Sequence, residues 1–186
     1  MFPAVLTFVA GIAELMGEPA RLALRYERDA IGDGQLWRLL SGHLVHLGPQ
    51  HLLLNLIGLI LVWVLVGGYL SASHWFLALG VILAGIDLGF WVLRPTLDWY
   101  VGLSGVLHGL LLTGLVIGWR QARVESAFLA LLIAAKLAWE QLGGALPGSE
   151  AAAGGPVVVD AHLYGAFAGV LAGILVAIMT RRRSPI

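Results

Sequence analysis

The sequence predicts an all-α integral membrane protein, a bundle of six transmembrane helices, on three observations. Of its 186 residues 59% are hydrophobic and 12% charged, against about 25% charged in ordinary soluble domains. Mean hydropathy is +0.89. The apolar residues gather into six runs, most within the roughly 17–25 residues that cross a bilayer as a helix.

The first run, residues 2–16, is short. It has no basic n-region and no small-residue cleavage site before Glu18, so it reads as a retained helix and not a signal peptide. Residues 18–50 form the longest polar connection, carrying Arg21, Arg25, Arg28 and Arg38, with 36–47 apolar enough to lie along the interface. The second span is 51–69, the third 74–93 with Asp87 inside it, and the fourth 103–119. The fifth, 125–142, carries Lys136 and Glu140, and the sixth, 157–180, runs into Arg181, Arg182 and Arg183. The connection at 143–156, GGALPGSEAAAGGP, reads as a small flexible loop.

Charge narrows the partners. Eleven Lys+Arg balance eleven Asp+Glu, so nothing in the balance calls for a nucleic acid, and lipid is the partner that composition implies. The absence of cysteine excludes disulfides, thiolate nucleophiles and cysteine-ligated metals. With six spans, Arg120, Arg123 and the terminal arginines share a side, which the positive-inside rule makes cytoplasmic along with both termini. The four arginines of the first loop pull the other way.

An even number of spans also aligns the polar clusters. The second, fourth and sixth helices run in one direction, so His51 with Asn55, Ser104 and His162 open their helices at the same depth. Ser104 sits in GLSGVLHG, flanked by Gly102 and Gly105. It is either a packing residue of a membrane helix or a nucleophile whose glycines admit a close approach and whose helix start leaves amide N–H groups free. The spacing does not fit the Gly-x-Ser-x-Gly elbow of α/β-hydrolases.

His162 is an ionisable residue in a span, a placement that costs about 2.5–3.5 kcal/mol and reads by default as functional. It is the candidate general base, the alternative being an interfacial histidine bonded to a loop carbonyl. Gly165, Gly169 and Gly173 follow it as a small-residue stripe, matched by Gly105 and Gly109 on the fourth span. Two such faces let a serine and a histidine on different helices meet, and they are also ordinary membrane packing.

His51 and Asn55 lie four apart, on one face, and both can donate to a developing oxyanion. They read equally well as an interfacial histidine and a helix-bridging asparagine. His108, one turn after Ser104, is expected to support His162. His43 and His46, near His51, lack a familiar ligand interval, so they read as loop anchors and no metal or cofactor is expected. Asp160, two before His162, diverges from it on a helix and reads as the N-cap of the sixth span, which leaves a dyad. Lys136 and Glu140 form an i, i+4 pair that neutralises itself, and Asp87 is assigned as an acceptor for Lys136 or a hydroxyl; all three read first as structural contacts.

The segments WRLLSGHLVHLGPQHLLLN, GLSGVLHG and DAHLYGAFAG, in this order on spans two, four and six, resemble the rhomboid family of intramembrane serine proteases, and within it the rhombosortases. The resemblance implies a rhomboid-like bundle occupying residues 1–186 as one domain. It implies a Ser104–His162 dyad, with His51, Asn55 and the Ser104 amide as oxyanion hole. It further implies a bacterial inner membrane, a site open toward the periplasm, and exported substrates ending in a Gly-Gly motif, a hydrophobic helix and a basic tail. Two positions depart from general rhomboids: His108 stands where a tyrosine usually packs on the histidine, and KLAWEQ at 136–141 has no usual counterpart. A general rhomboid protease or a silent scaffold that binds client helices are the competing readings.

Overall fold

A computed structural model describes residues 2–181. Arg182 and Arg183, on which part of the orientation argument rests, lie outside the described residues, as does the side chain of Arg181. Among the described residues the regular structure is helical apart from one two-residue strand pairing. Helix α1 (Phe2–Leu15) turns through 118° into α2 (Gly17–Leu24). The first connection then holds strand β1 (Tyr26–Glu27) and the short helices α3 (Arg28–Gly32) and α4 (Arg38–Ser41).

Helix α5 (Pro49–Val66) starts with proline, whose missing N–H would have no partner in a first turn anyway, and ends in a 3-10 turn over Gly67–Tyr69. Helix α6 (Ala72–Leu93) is capped by Ser71, whose hydroxyl accepts from the His74 amide. Strand β2 (Trp99–Tyr100) pairs antiparallel with β1, and α7 (Ser104–Gly118), α8 (Arg123–Gly143), α9 (Ser149–Ala153) and α10 (Val159–Arg181) follow. The loop expected to be featureless therefore contains a helical turn, α9, and the Glu150 carboxylate accepts from the Val157 amide below it.

Among the described residues four helices are long and apolar enough to cross a membrane: α5 with its 3-10 extension, α6, α8 and α10. A fifth is added if the bent pair α1 and α2 counts as one span. This is a multi-pass integral membrane protein. The expected six spans are each present as helices at nearly the expected positions, but two fall below crossing length. Helix α1 has 14 residues and α7 has 15. At 1.5 Å per residue α7 is about 22 Å long, short of the roughly 30 Å hydrocarbon core. Its surroundings explain the shortness: ten of its residues, from Gly105 to Gly118, are buried, so protein and not lipid surrounds it.

Apolar side chains point outward from the other helices, among them Leu53, Ile60 and Val64 on α5 and Phe167 and Leu171 on α10. Where lipid is the solvent such faces give little drive toward association, so close backbone packing must hold the helices together. The most extensive pairing is that of α7 with α10. A Cβ added to Gly165 would collide with the Gly105 carbonyl, and one added to Gly169 with the Gly109 carbonyl. Thr113 locks the same seam, its hydroxyl donating to the carbonyls of Gly109 and Gly169, each at 2.9 Å.

The arginines of the first connection are used within the fold. Arg28 donates to the carbonyls of Phe90, Trp91, Arg94 and Leu97, satisfying the open end of α6. Buried Arg38 donates to Leu22 O at 3.0 Å and Arg25 O at 2.8 Å, and Arg21 to Leu47 O at 2.8 Å.

If the glycine seam sets the packing, Gly169→Val should destabilise by about 1–3 kcal/mol through overpacking. Thermal unfolding in detergent reads this as a lower melting temperature, while Gly80→Ala, with nothing near the added carbon, should be neutral or stabilising. A Gly169→Val protein that melts with the wild type would show that the seam has slack.

Candidate active site

A cavity of about 320 Å³ lies among the N-terminal ends of α5, α7 and α10 and the C-terminal half of α8. His51, Asn55, Ser104, His108 and His162 all line it, as do Lys136 and Glu140. The three polar clusters expected at one depth thus meet in one pocket. Its remaining wall is largely apolar, with Leu54, Leu107, Leu111 and Ile133 from the helices and Leu146 from the loop bearing α9.

Ser104 is the first residue of α7, and His162 lies in the first turn of α10. The seam between those helices brings Ser104 Oγ to 3.0 Å from His162 Nε2. The other ring nitrogen, Nδ1, faces α8. Glu140 Oε2 is 3.0 Å and Oε1 3.1 Å from it, and Lys136 Nζ is 3.3 Å away. Nδ1 cannot donate to a carboxylate and accept from an ammonium at once. The shorter contacts and the acceptor-only chemistry of an ionised carboxylate assign the proton to Nδ1, donating to Glu140. Nε2 then carries the lone pair and accepts from the Ser104 hydroxyl.

Other protons follow from the same reasoning. His51 Nδ1 accepts from the Leu47 amide at 3.3 Å, which leaves the hydrogen of a neutral ring on Nε2. Asn55 Nδ2 donates one hydrogen to His51 O at 3.0 Å and retains a second. His108 Nδ1 donates to the Ser104 carbonyl at 2.8 Å, and its ring stacks on that of His162 at 4.4 Å and 22°. The support expected from His108 is therefore a flat face against the imidazole.

Gly102, two residues before Ser104, has φ +124°, and a Cβ there would lie 2.9 Å from the His51 ring. Only glycine meets both conditions. Its amide donates to Gly42 O at 3.1 Å and its carbonyl accepts from the Tyr100 hydroxyl at 2.6 Å. Gly105 faces the Ala161 carbonyl on α10, the near end of the helix seam.

Three expectations are corrected. Asp160 is not the cap of the sixth helix, which begins at Val159; it lies in the first turn and pairs with Arg94 at 2.9 Å, tying α10 to the end of α6. Asp87 meets neither Lys136 nor a hydroxyl but His43 Nε2, at 3.2 Å. Lys136 and Glu140 do pair, at 2.7 Å, yet they do so against His162 and not as a separate contact. These last two are the site residues that sequence reasoning underrated. The signal was available in the cost of placing two charges within one span.

A family model described as Rhomboid domain matches residues 33–179, well over half of the chain. The chain belongs to the rhomboid family. Membership indicates a hydrolase, an intramembrane serine protease acting on transmembrane proteins. No curated protein matches this rhomboid. The matched segment begins inside the first connection and includes every residue lining the pocket.

Two further histidines of this rhomboid, His43 and His46, lie in the first connection, outside the pocket lining. His43 anchors its loop to α6 through Asp87, and His46 packs edge-on against His51, ring centroids 5.0 Å apart. Burial, aided by the neighbouring His51, pushes the His46 imidazole down to about 3 from an ordinary 6.5. Between those two values the unfolded chain binds a proton that the folded ring refuses. Stability should therefore fall as pH drops below about 6.5, by about 1.4 kcal/mol per unit. Melting curves in detergent from pH 7 to 5 should fall steeply for the wild type and less so for His46→Leu; parallel curves would remove His46 from the account.

Proposed function

We propose that this rhomboid cleaves its substrates with Ser104 as nucleophile and His162 as general base. The observation that carries the proposal is the 3.0 Å contact between Ser104 Oγ and His162 Nε2 inside a cavity that also holds His51 and Asn55. Ser104 Oγ attacks the scissile carbonyl carbon while Nε2 takes the hydroxyl proton. The carbonyl oxygen becomes an oxyanion that accepts from His51 Nε2, the free Asn55 N–H and the Ser104 amide, which as a first-turn N–H has no intrahelical partner. The intermediate collapses, the C–N bond breaks, and His162 returns the proton to the departing amine. Water then attacks the acyl-enzyme ester with His162 again as base, freeing the new carboxylate and Ser104.

Within the family we place the chain among the rhombosortases, on the motif GLSGVLHG and on a histidine ring, His108, stacked where general rhomboids use a tyrosine. The substrates are then exported bacterial proteins bearing a C-terminal Gly-Gly motif, a hydrophobic helix and a basic tail. Apolar pocket walls favour such a helix. We assign the protein to the bacterial inner membrane as one domain with six crossings, cytoplasmic termini and a pocket facing the periplasm. The engagement of Arg21, Arg28 and Arg38 in hydrogen bonds within the fold supports this orientation, because arginines held in structural contacts weigh less against the positive-inside rule.

A fluorophosphonate probe tests the reading without a known substrate. Wild-type protein should label and Ser104→Ala should not. His162→Ala should label at least about 10²-fold more slowly. His51→Ala and Asn55→Ala should each reduce turnover of a Gly-Gly-tailed substrate by about 10²–10³-fold, the usual loss for one oxyanion donor. A wild type that binds a Gly-Gly-tailed membrane substrate yet never labels with the probe would make this chain a scaffold.

A further inference from the structure

We infer that Glu140 is a positioning residue for His162, so that the site works as a Ser104–His162–Glu140 chain whose carboxylate Lys136 holds in place. The inference rests on the proteolytic reading above. Glu140 is 3% exposed, and both of its oxygens lie at hydrogen-bond distance from His162 Nδ1. That nitrogen is opposite the one facing Ser104, so a single proton location satisfies both ends of the ring. With Nδ1–H donating to Glu140, Nε2 presents its lone pair to the serine. With the proton on Nε2 the base would be unable to act, and a buried carboxylate would face a lone pair.

The groups around the imidazole leave no substitute. From α7 it meets Ser104 and His108, and from α8 Glu140 and Lys136. Asp160, the nearest acid in sequence, is occupied by Arg94. His108 uses its Nδ1 hydrogen on the Ser104 carbonyl and offers His162 a ring face, not an acceptor.

Lys136 completes the arrangement. Its Nζ donates to Glu140 Oε1 at 2.7 Å from one turn earlier on the same helix, which fixes the carboxylate and supplies its countercharge while His162 is neutral. When the serine proton moves to Nε2, the imidazolium forms beside a carboxylate already in position, in a pocket whose remaining wall is largely apolar. A plain intramembrane ion pair would need no third partner. Here the pair's acidic member is aimed at the ring nitrogen that determines which tautomer is present.

The experiment measures fluorophosphonate labelling of full-length protein in detergent, separating the maximal rate from the half-saturating probe concentration. In that reaction the Ser104 O–P bond forms, P–F breaks, fluoride leaves and His162 takes the proton, so base orientation governs the maximal rate. Glu140→Gln should lower the maximal rate by up to about 10⁴-fold, the loss seen when an orienting acid becomes an amide, with half-saturation unchanged. Glu140→Asp should recover part of the loss. Because Glu140→Gln leaves Lys136 buried beside a neutral amide, the double variant Lys136→Met/Glu140→Gln guards against misfolding; it should melt as the wild type does and stay slow. Wild-type rates in the folded double variant would overturn the role of Glu140. If Ser104→Ala labels as well as the wild type, the proteolytic reading itself fails, and the two failures are thereby told apart.

Discussion

Everything in this protein depends on how closely α7 and α10 approach. In lipid the hydrophobic effect does little to press one apolar helix on another, so contact must come from shape. Glycines on both faces remove the side chains that would hold the backbones apart, to the point that an added carbon on Gly165 or Gly169 meets a carbonyl of the facing helix. Ser104 and His162 sit at one end of this seam, and their 3.0 Å contact is a consequence of the packing that also stabilises the bundle. Fold and proposed reaction use the same few ångströms.

The second constraint is that polar groups inside such a bundle need partners. Arg28 is matched to the carbonyl end of α6, His43 to Asp87, Asp160 to Arg94, and Thr113 to two glycine carbonyls. The pocket obeys the same rule with one difference. Its network runs from Lys136 through Glu140 and His162 to Ser104 and ends on a hydroxyl facing a cavity. Every earlier bond orients the next group toward that end.

Much of this was legible in the chain itself. Runs of apolar residues located the helices to within two residues at most ends, because crossing length is a property of a segment alone. Ser104, His162, His51 and Asn55 could be grouped because alternate helices share a direction, and the glycine stripes indicated which two would touch. Glu140 could not be placed in this way. Helical spacing relates it to Lys136 on the same helix, but the rotation of α8 that turns both toward His162 is a property of the assembled bundle. Asp160, two residues before His162, reads from the sequence as a helix cap, but the start of α10 at Val159 places it in the first turn and aims it at Arg94. The shortness of α7 was hidden for a similar reason: its apolar run continues beyond the helix, and only burial reveals that protein takes the place of lipid around it.

The first connection is less peripheral than its position outside the spans suggests. Tyr26 and Glu27 pair with Tyr100 and Trp99, the Tyr100 hydroxyl holds the Gly102 carbonyl, and Gly42 holds the Gly102 amide, all on the five residues that precede Ser104. The Ser104 end of α7 is thus clamped by chain that lies some sixty to eighty positions earlier. An epitope or fluorophore spliced into that stretch is no innocent handle, because it would loosen the mount on which the proposed nucleophile stands.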